Sequence, residues 1–375
     1  MGTQPHPSLD NCSSSLSIRR IVHTWWPLAG SWLLMAVEIP VLSAFVARLA
    51  DPTIHLAAFG GIVYPLALLI EAPILMLLSA STALSKDWRS YLWLRRFMTY
   101  SSAVLTAIYI LITFTPLYHV VVARLIDAPA EVVEPARAGM MVMIPWVWAI
   151  AYRRFNQGIL IRFGHSQAVG VGTLIRLAVD GIVMAVGFSF GTIPGALAAS
   201  IALAAGVTCE AIYSGLRVQP VLRDQLRPAP PVDQPLTLPT FLNFYIPLAM
   251  TSLIYLVVQP LGSAAASRMP QALDSLAAWS VVSGYVFMLR SLGVAYNEVV
   301  IALLDEPRST RNLRRFAAFL TAATTILLLI TAIKPVAELW FGRVSGLEPS
   351  LVVLARWGLL LSAPLPGLNV LLSWY

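Results

Sequence analysis

Apolar residues run along this chain in long blocks, separated by short polar stretches that carry most of the charge. A helix that crosses a bilayer needs about 20 mostly apolar residues. Ten blocks meet that length, near residues 21–49, 56–84, 97–123, 138–160, 168–190, 194–216, 241–267, 273–303, 316–340 and 350–375. The first block contains Glu38 and has no small-residue cleavage site, so it reads as a true span and not as a signal peptide. Gln219 to Pro239 holds five prolines between Pro220 and Pro235 without apolar periodicity, which predicts a linker.

The pattern is written twice. Pro27, Pro40 and Arg48 return at an offset of 220 as Pro247, Pro260 and Arg268. Leu94-Arg95-Arg96-Phe97 returns as Leu313-Arg314-Arg315-Phe316, and Pro116, Arg137, Gly139 and Pro145 return at an offset of 219 as Pro335, Arg356, Gly358 and Pro364. A duplicated unit of this length in an apolar chain predicts a transporter with two homologous halves. The expected domains are an N-terminal six-helix bundle over 1–217, a cytosolic linker over 218–240 and a C-terminal bundle over 241–375. Tyr375 aligns with Asn156, so the second copy is expected to lack its last two helices. The expected fold class is an all-α multi-pass membrane protein of two parallel-repeat bundles.

Composition agrees with lipid as the solvent. Only 11% of residues are charged, against about 25% in soluble domains. With the N-terminus inside, 16 of the 25 lysines and arginines fall in inside loops and 7 in outside loops. That bias orients the chain and places the linker in the cytosol. The net charge of +7 is then topology and anionic-lipid contact, with no basic stripe for nucleic acid. An even number of spans per repeat makes the repeats parallel, with an axis along the membrane normal. Cys12 and Cys209 imply no disulfide framework. No P-loop, metal-spaced His/Cys set or nucleophile elbow occurs, so no enzyme is expected and no cofactor beyond a coupling H+ or Na+.

Charged groups at membrane depth cost about 2.5–3.5 kcal/mol on insertion scales and usually face an interior cavity. The candidates are Glu38, Glu71, Arg176, Asp180, Glu210, Arg290, Asn297 and Glu298, with Gln259 as a polar partner. Glu38 precedes Pro40, which cannot donate to the Ala36 carbonyl, so a kink is expected beside a carboxylate. A carboxylate at low dielectric can load and release a proton near neutral pH. Val258 replaces Glu38 in the second copy, beside Gln259 and a second kink at Pro260. Arg176 and Asp180, spaced i, i+4, are expected to neutralise each other. Glu71 precedes Pro73 by two residues, and Arg290 and Asn297 share a helix face. Glu210 is expected at the interface.

Phe155-Asn156-Gln157-Gly158-Ile159-Leu160-Ile161-Arg162-Phe163-Gly164 resembles the motif that closes the fourth helix of multidrug and toxic compound extrusion (MATE) proteins. These belong to the multidrug/oligosaccharidyl-lipid/polysaccharide (MOP) flippase superfamily. Trp26-Pro27-Leu28 and Ile246-Pro247-Leu248 fit the starts of its first and seventh helices, and the Ile-Leu-Ile-Arg-Phe-Gly wording is similar to its progressive-ankylosis (ANK)-like branch. The resemblance implies alternating access coupled to H+ or Na+, with Glu38 at the position of a first-helix acid. Asn369 stands where many sodium-coupled members carry an acid in the tenth helix. The expected function is ion-coupled export of a small molecule by a monomer in the cell inner (cytoplasmic) membrane. Export of organic anions, flipping of a lipid-linked oligosaccharide and a non-transporting scaffold role are the alternatives.

Overall fold

The structure, a computed structural model, describes residues 17–232, 234–304 and 309–374. Cys12 and Tyr375 lie outside the described residues. The described residues form helices and no strand. In chain order, α1 comprises Ile18–Ala36 and Glu38–Val46, α2 spans Pro52–Leu84, and α3 spans Trp88–Phe114. α4 comprises Ala130–Val142 and Ile144–Arg162, and α5 spans Gln167–Phe190. α6 spans Gly195–Leu226, α7 Leu238–Ser267, α8 Ala272–Leu303 and α9 Ser309–Thr331. α10 comprises Pro349–Ser362 and Pro364–Trp374.

Among the described residues nine helices, not ten, are long and apolar enough to cross a membrane. The exception is α4. Its second piece buries Arg153, Asn156 and Gln157 as well as Trp146, Ile150, Phe155 and Ile159. The helix packs against α2, α3 and α6, so its polar groups meet protein instead of lipid, and its hydropathy falls. Elsewhere large apolar side chains such as Ile182, Phe319 and Leu361 are exposed, as lipid contact requires.

The proline-rich stretch is shorter than its composition predicts. α6 continues through Pro220 to Leu226 and buries Val218, Val221, Leu222 and Leu226. These apolar positions hold the helix to the protein where proline alone would end it. The non-helical connection to α7 begins after this turn.

Contacts group the chain into two units. One contains residues 1–36, 286–331 and 359–375. Its core is Ile21, Tyr296, Val299, Leu313, Phe316, Leu320 and Val370. Trp25 Nε1 donates to the Leu292 carbonyl at 3.1 Å, and Tyr296 Oη donates to the Leu313 carbonyl at 2.8 Å. The other unit contains residues 37–285 and 332–358 and holds most of the charged groups at depth.

Within this larger unit the duplication is visible as repeated hydrogen bonds. Arg137 Nε donates to the Thr113 carbonyl at the end of α3, and Arg356 Nε donates to the Ala332 carbonyl, both at 3.1 Å. Both partners are displaced by 219 residues. A π-type turn over Val120–Leu125 returns over Glu338–Val344. Both turns close through a left-handed residue, Asp127 at φ 64° and Gly346 at φ 75°. Glycine suits that conformation, whereas aspartate is among the few side chains that tolerate it.

The arginines that end α1 and α7 repeat as well. Arg48 and Arg268 each cap their own helix through the carbonyls of Ala44 and Ala264. Each also reaches the π-type turn of the other copy. Arg48 Nη2 donates to the Val344 carbonyl at 2.9 Å, and Arg268 Nη2 donates to the Leu125 carbonyl at 2.8 Å. The two contacts form a reciprocal clasp.

Candidate functional site

The first piece of α1 stops at Ala36 and the second begins at Glu38. Pro40 has no N–H for the Ala36 carbonyl, so the ladder is interrupted there. It resumes with Val41 N donating to the Val37 carbonyl at 3.1 Å. Glu38 therefore occupies a first helical turn, where free N–H groups and the helix dipole favour a carboxylate. α7 runs through Pro260 without interruption.

Glu38 is 7% exposed and lies against α5. Arg176 Nε of α5 is 3.0 Å from Glu38 Oε1, and Arg176 Nη1 is 3.6 Å from Glu210 Oε2 of α6. Glu210 is fully buried. It also accepts from Arg153 Nη1 at 2.6 Å and from Gln157 Nε2 at 2.9 Å, both on α4. Charge-assisted bonds of this length are the strong kind, and they offset part of the cost of burying these ions. A Cβ at Gly206 would overlap the Asp180 carboxylate and crowd Arg176, so the glycine makes room for these groups between α5 and α6.

Arg176 thus bridges two acids on other helices and forms no ion pair with Asp180 among the described residues. The i, i+4 pair does not close on itself as the spacing predicts, because two better-placed carboxylates compete for the guanidinium. Both Asp180 oxygens are buried without a hydrogen-bond donor. Glu38 pairs with Arg176, one helical turn from Asp180, so the two acids share one buried neighbourhood.

Glu71 of α2 accepts a hydrogen bond from Trp146 Nε1 of α4 and is within electrostatic reach of Arg153, Arg154 and Arg176. The ion pairs join Glu38, Arg176, Glu210 and Arg153, with Asp180 beside Arg176. The Asp180 carboxyl, buried and without a donor, is a place where this network can hold a proton.

The structure brings Glu38, Glu71, Arg176 and Asp180 together. Glu210, expected at the interface, is instead central to the cluster. Arg153 is 3% exposed and belongs to the buried second piece of α4. Trp146, Gln157 and Glu210 were the residues that sequence spacing did not join to Glu38. Gln259 is half-buried on α7, and none of the network's hydrogen bonds reaches it. Arg290, Asn297 and Glu298 fall in the smaller unit, where Glu298 is exposed and accepts from Trp32 Nε1 at 2.9 Å. Among the described residues no group of three or more His, Cys, Asp or Glu is placed to hold a metal ion.

Neither a protein-family model nor a curated protein sequence matches the chain. Solved structures do. The chain is similar to an inward-facing multidrug-resistance MATE transporter of the MOP superfamily, with a TM-score of 0.64 and 16% identity over 93% of this chain and 87% of the other. It is similar to the eukaryotic MATE transporter AtDTX14, with a TM-score of 0.60 and 18% identity over 95% of this chain and 81% of the other. It is also similar to a MOP superfamily transporter from Pyrococcus furiosus described as having a binding pocket of reversed polarity, with a TM-score of 0.55 and 16% identity over 95% of this chain and 84% of the other. The chain has the fold of these MATE structures, an arrangement of repeated helix bundles.

Proposed function

We infer that the chain is a secondary transporter that moves a small organic molecule across a membrane by alternating access, coupled to protons at Glu38 and Asp180. The carrying observation is the buried Asp180 carboxyl, which has no hydrogen-bond donor and lies one helical turn from Arg176, the partner of Glu38. MATE transporters similar to the chain, solved in an inward-facing and in an outward-facing form, support the alternating-access part.

The coupling runs through Arg176. With Glu38 ionised, Arg176 is divided between Glu38 at 3.0 Å and Glu210 at 3.6 Å. A proton on Glu38 removes one of the two attractions, and Arg176 relaxes toward Glu210. The second piece of α1 then loses its ion pair to α5. The interruption at Val37 lets that piece move without unwinding the first. The clasp made by Arg48 and Arg268 ties the two copies together and must break whenever that end opens.

The remaining assignments follow the sequence: two parallel bundles joined by a cytosolic linker, the N-terminus in the cytosol, and residence in the cytoplasmic membrane. The substrate class is tested in proteoliposomes with an imposed pH gradient, by comparing organic cations with organic anions of matched size. Gradient-driven movement of one class, abolished by an ionophore that collapses the gradient, supports the reading. Movement that follows a sodium gradient instead transfers the coupling from protons to Na+. No gradient-driven movement of either class favours a scaffold.

A further inference from the structure

A concave region lies between α3, α4 and α6, and nothing in the coupling scheme uses it. It encloses about 550 Å³. Trp88, Tyr152 and neighbouring aromatics wall it, and Arg95, Arg223 and Arg227 line it. Arg227 lies over the Trp88 ring at 4.8 Å. Asn156 of α4 also lines the cavity, is 2% exposed, and its Nδ2 has no hydrogen-bond acceptor among the described residues. A buried donor without an acceptor is costly and rare. Arg223 is matched by Asp224, with Nε 2.6 Å from Oδ1. The ion pairs among the described residues leave Arg95 and Arg227 without a carboxylate. Guanidiniums, a buried amide N–H without an acceptor and aromatic rings thus line one cavity.

We propose that this cavity binds a phosphate-bearing amphiphile, with Arg95, Arg227 and Asn156 Nδ2 holding the phosphate oxygens and Trp88 and Tyr152 covering the apolar body. Guanidinium forks match phosphate geometry. A soluble organophosphate and an anionic lipid headgroup share this chemistry. The site is separate from the Glu38–Asp180 pair and does not depend on transport.

Calorimetry on the full chain in phosphatidylcholine nanodiscs tests the proposal, with phenyl phosphate as the probe and benzyltrimethylammonium as its cationic counterpart. Phenyl phosphate is expected to saturate one site, with affinity at least about tenfold weaker in the Arg95→Ala/Arg227→Ala variant; the cation is expected not to bind. Both arginines are exposed, so this variant spares the core, and a single symmetric gel-filtration peak checks its fold. Asn156→Leu, with the same check, is expected to weaken the probe as well. Repeating the titration in phosphatidylglycerol nanodiscs separates the sources: lost probe binding identifies the lipid headgroup as occupant, and retained binding a soluble organophosphate. Absence of phenyl phosphate binding in phosphatidylcholine, or equal affinity in wild type and the double-arginine variant, overturns the proposal.

Discussion

Arg48 and Arg268, 220 positions apart, perform the same task in opposite copies. Each caps its own helix, and each donates to a carbonyl of the other copy's π-type turn, at Val344 and at Leu125. A duplicated unit gives this geometry when two equivalent surfaces meet around a pseudo-twofold axis. Two equal contacts also predict two equal defects. Arg48→Ala and Arg268→Ala should each raise the reactivity of a single cysteine at Ser345 toward a membrane-impermeant maleimide, in a background lacking Cys12 and Cys209, with the double variant highest. If neither substitution changes the labelling rate, the clasp does not hold that end closed.

Glu210 offers a sharper energetic test. Replacing it by Gln leaves Arg153 and Arg176 buried with less compensation than before. Removing one partner of a buried ion pair typically costs about 3–5 kcal/mol. Glu210→Gln keeps one acceptor oxygen and much of the side-chain volume and should fall at the low end, and Glu210→Ala at the high end. The midpoint of thermal aggregation in detergent should drop in that order. Adding Arg153→Met to a Glu210→Leu variant should recover part of the loss, because an apolar pair of similar volume often replaces a buried ion pair without penalty.

Asp87 ties the start of α3 to the segment after α6. Its Oδ1 accepts from Ser90 N at 2.8 Å and its Oδ2 from Val232 N at 3.3 Å. Burial opposes its charge, but these hydrogen bonds and the nearby Arg89 outweigh burial and hold the carboxyl below its ordinary value. A depressed carboxyl adds stability above its unfolded value and loses it as pH falls through the folded value. The loss is therefore confined to pH below about 4. Asp87→Ala should cost about 1 kcal/mol at neutral pH, the usual worth of a helix N-cap. The thermal midpoints of wild type and variant should converge as pH is lowered from about 6 to about 3. A constant gap between them would contradict the assignment.

The fold was legible because its signals were long and repeated. Span lengths and the two offsets each involve many residues, so small shifts in helix ends do not matter. Glu38 was legible because an acid beside a proline at depth needs a reason. The rest of the cluster was not, because its partners lie far apart in sequence and converge only through packing. Arg153-Arg154 reads as the charged end of a span, and only the course of α4 shows that Arg153 is buried. Asp180 reads as the partner of Arg176 because helical spacing reports neighbours on one helix and says nothing about competing acids on α1 and α6. The proline-rich stretch misled for a related reason: Val218, Leu222 and Leu226 find a packing surface, which composition does not reveal.

The central claim is that Glu38 and Asp180 carry the coupled proton. Its most direct measurement is proton flux, read by a pH dye inside proteoliposomes when substrate is added against wild type, Glu38→Gln and Asp180→Asn. Wild type should move protons in step with substrate, and either substitution should abolish that flux while leaving the gel-filtration profile of the protein unchanged. Proton movement at the wild-type rate in Glu38→Gln would contradict the claim.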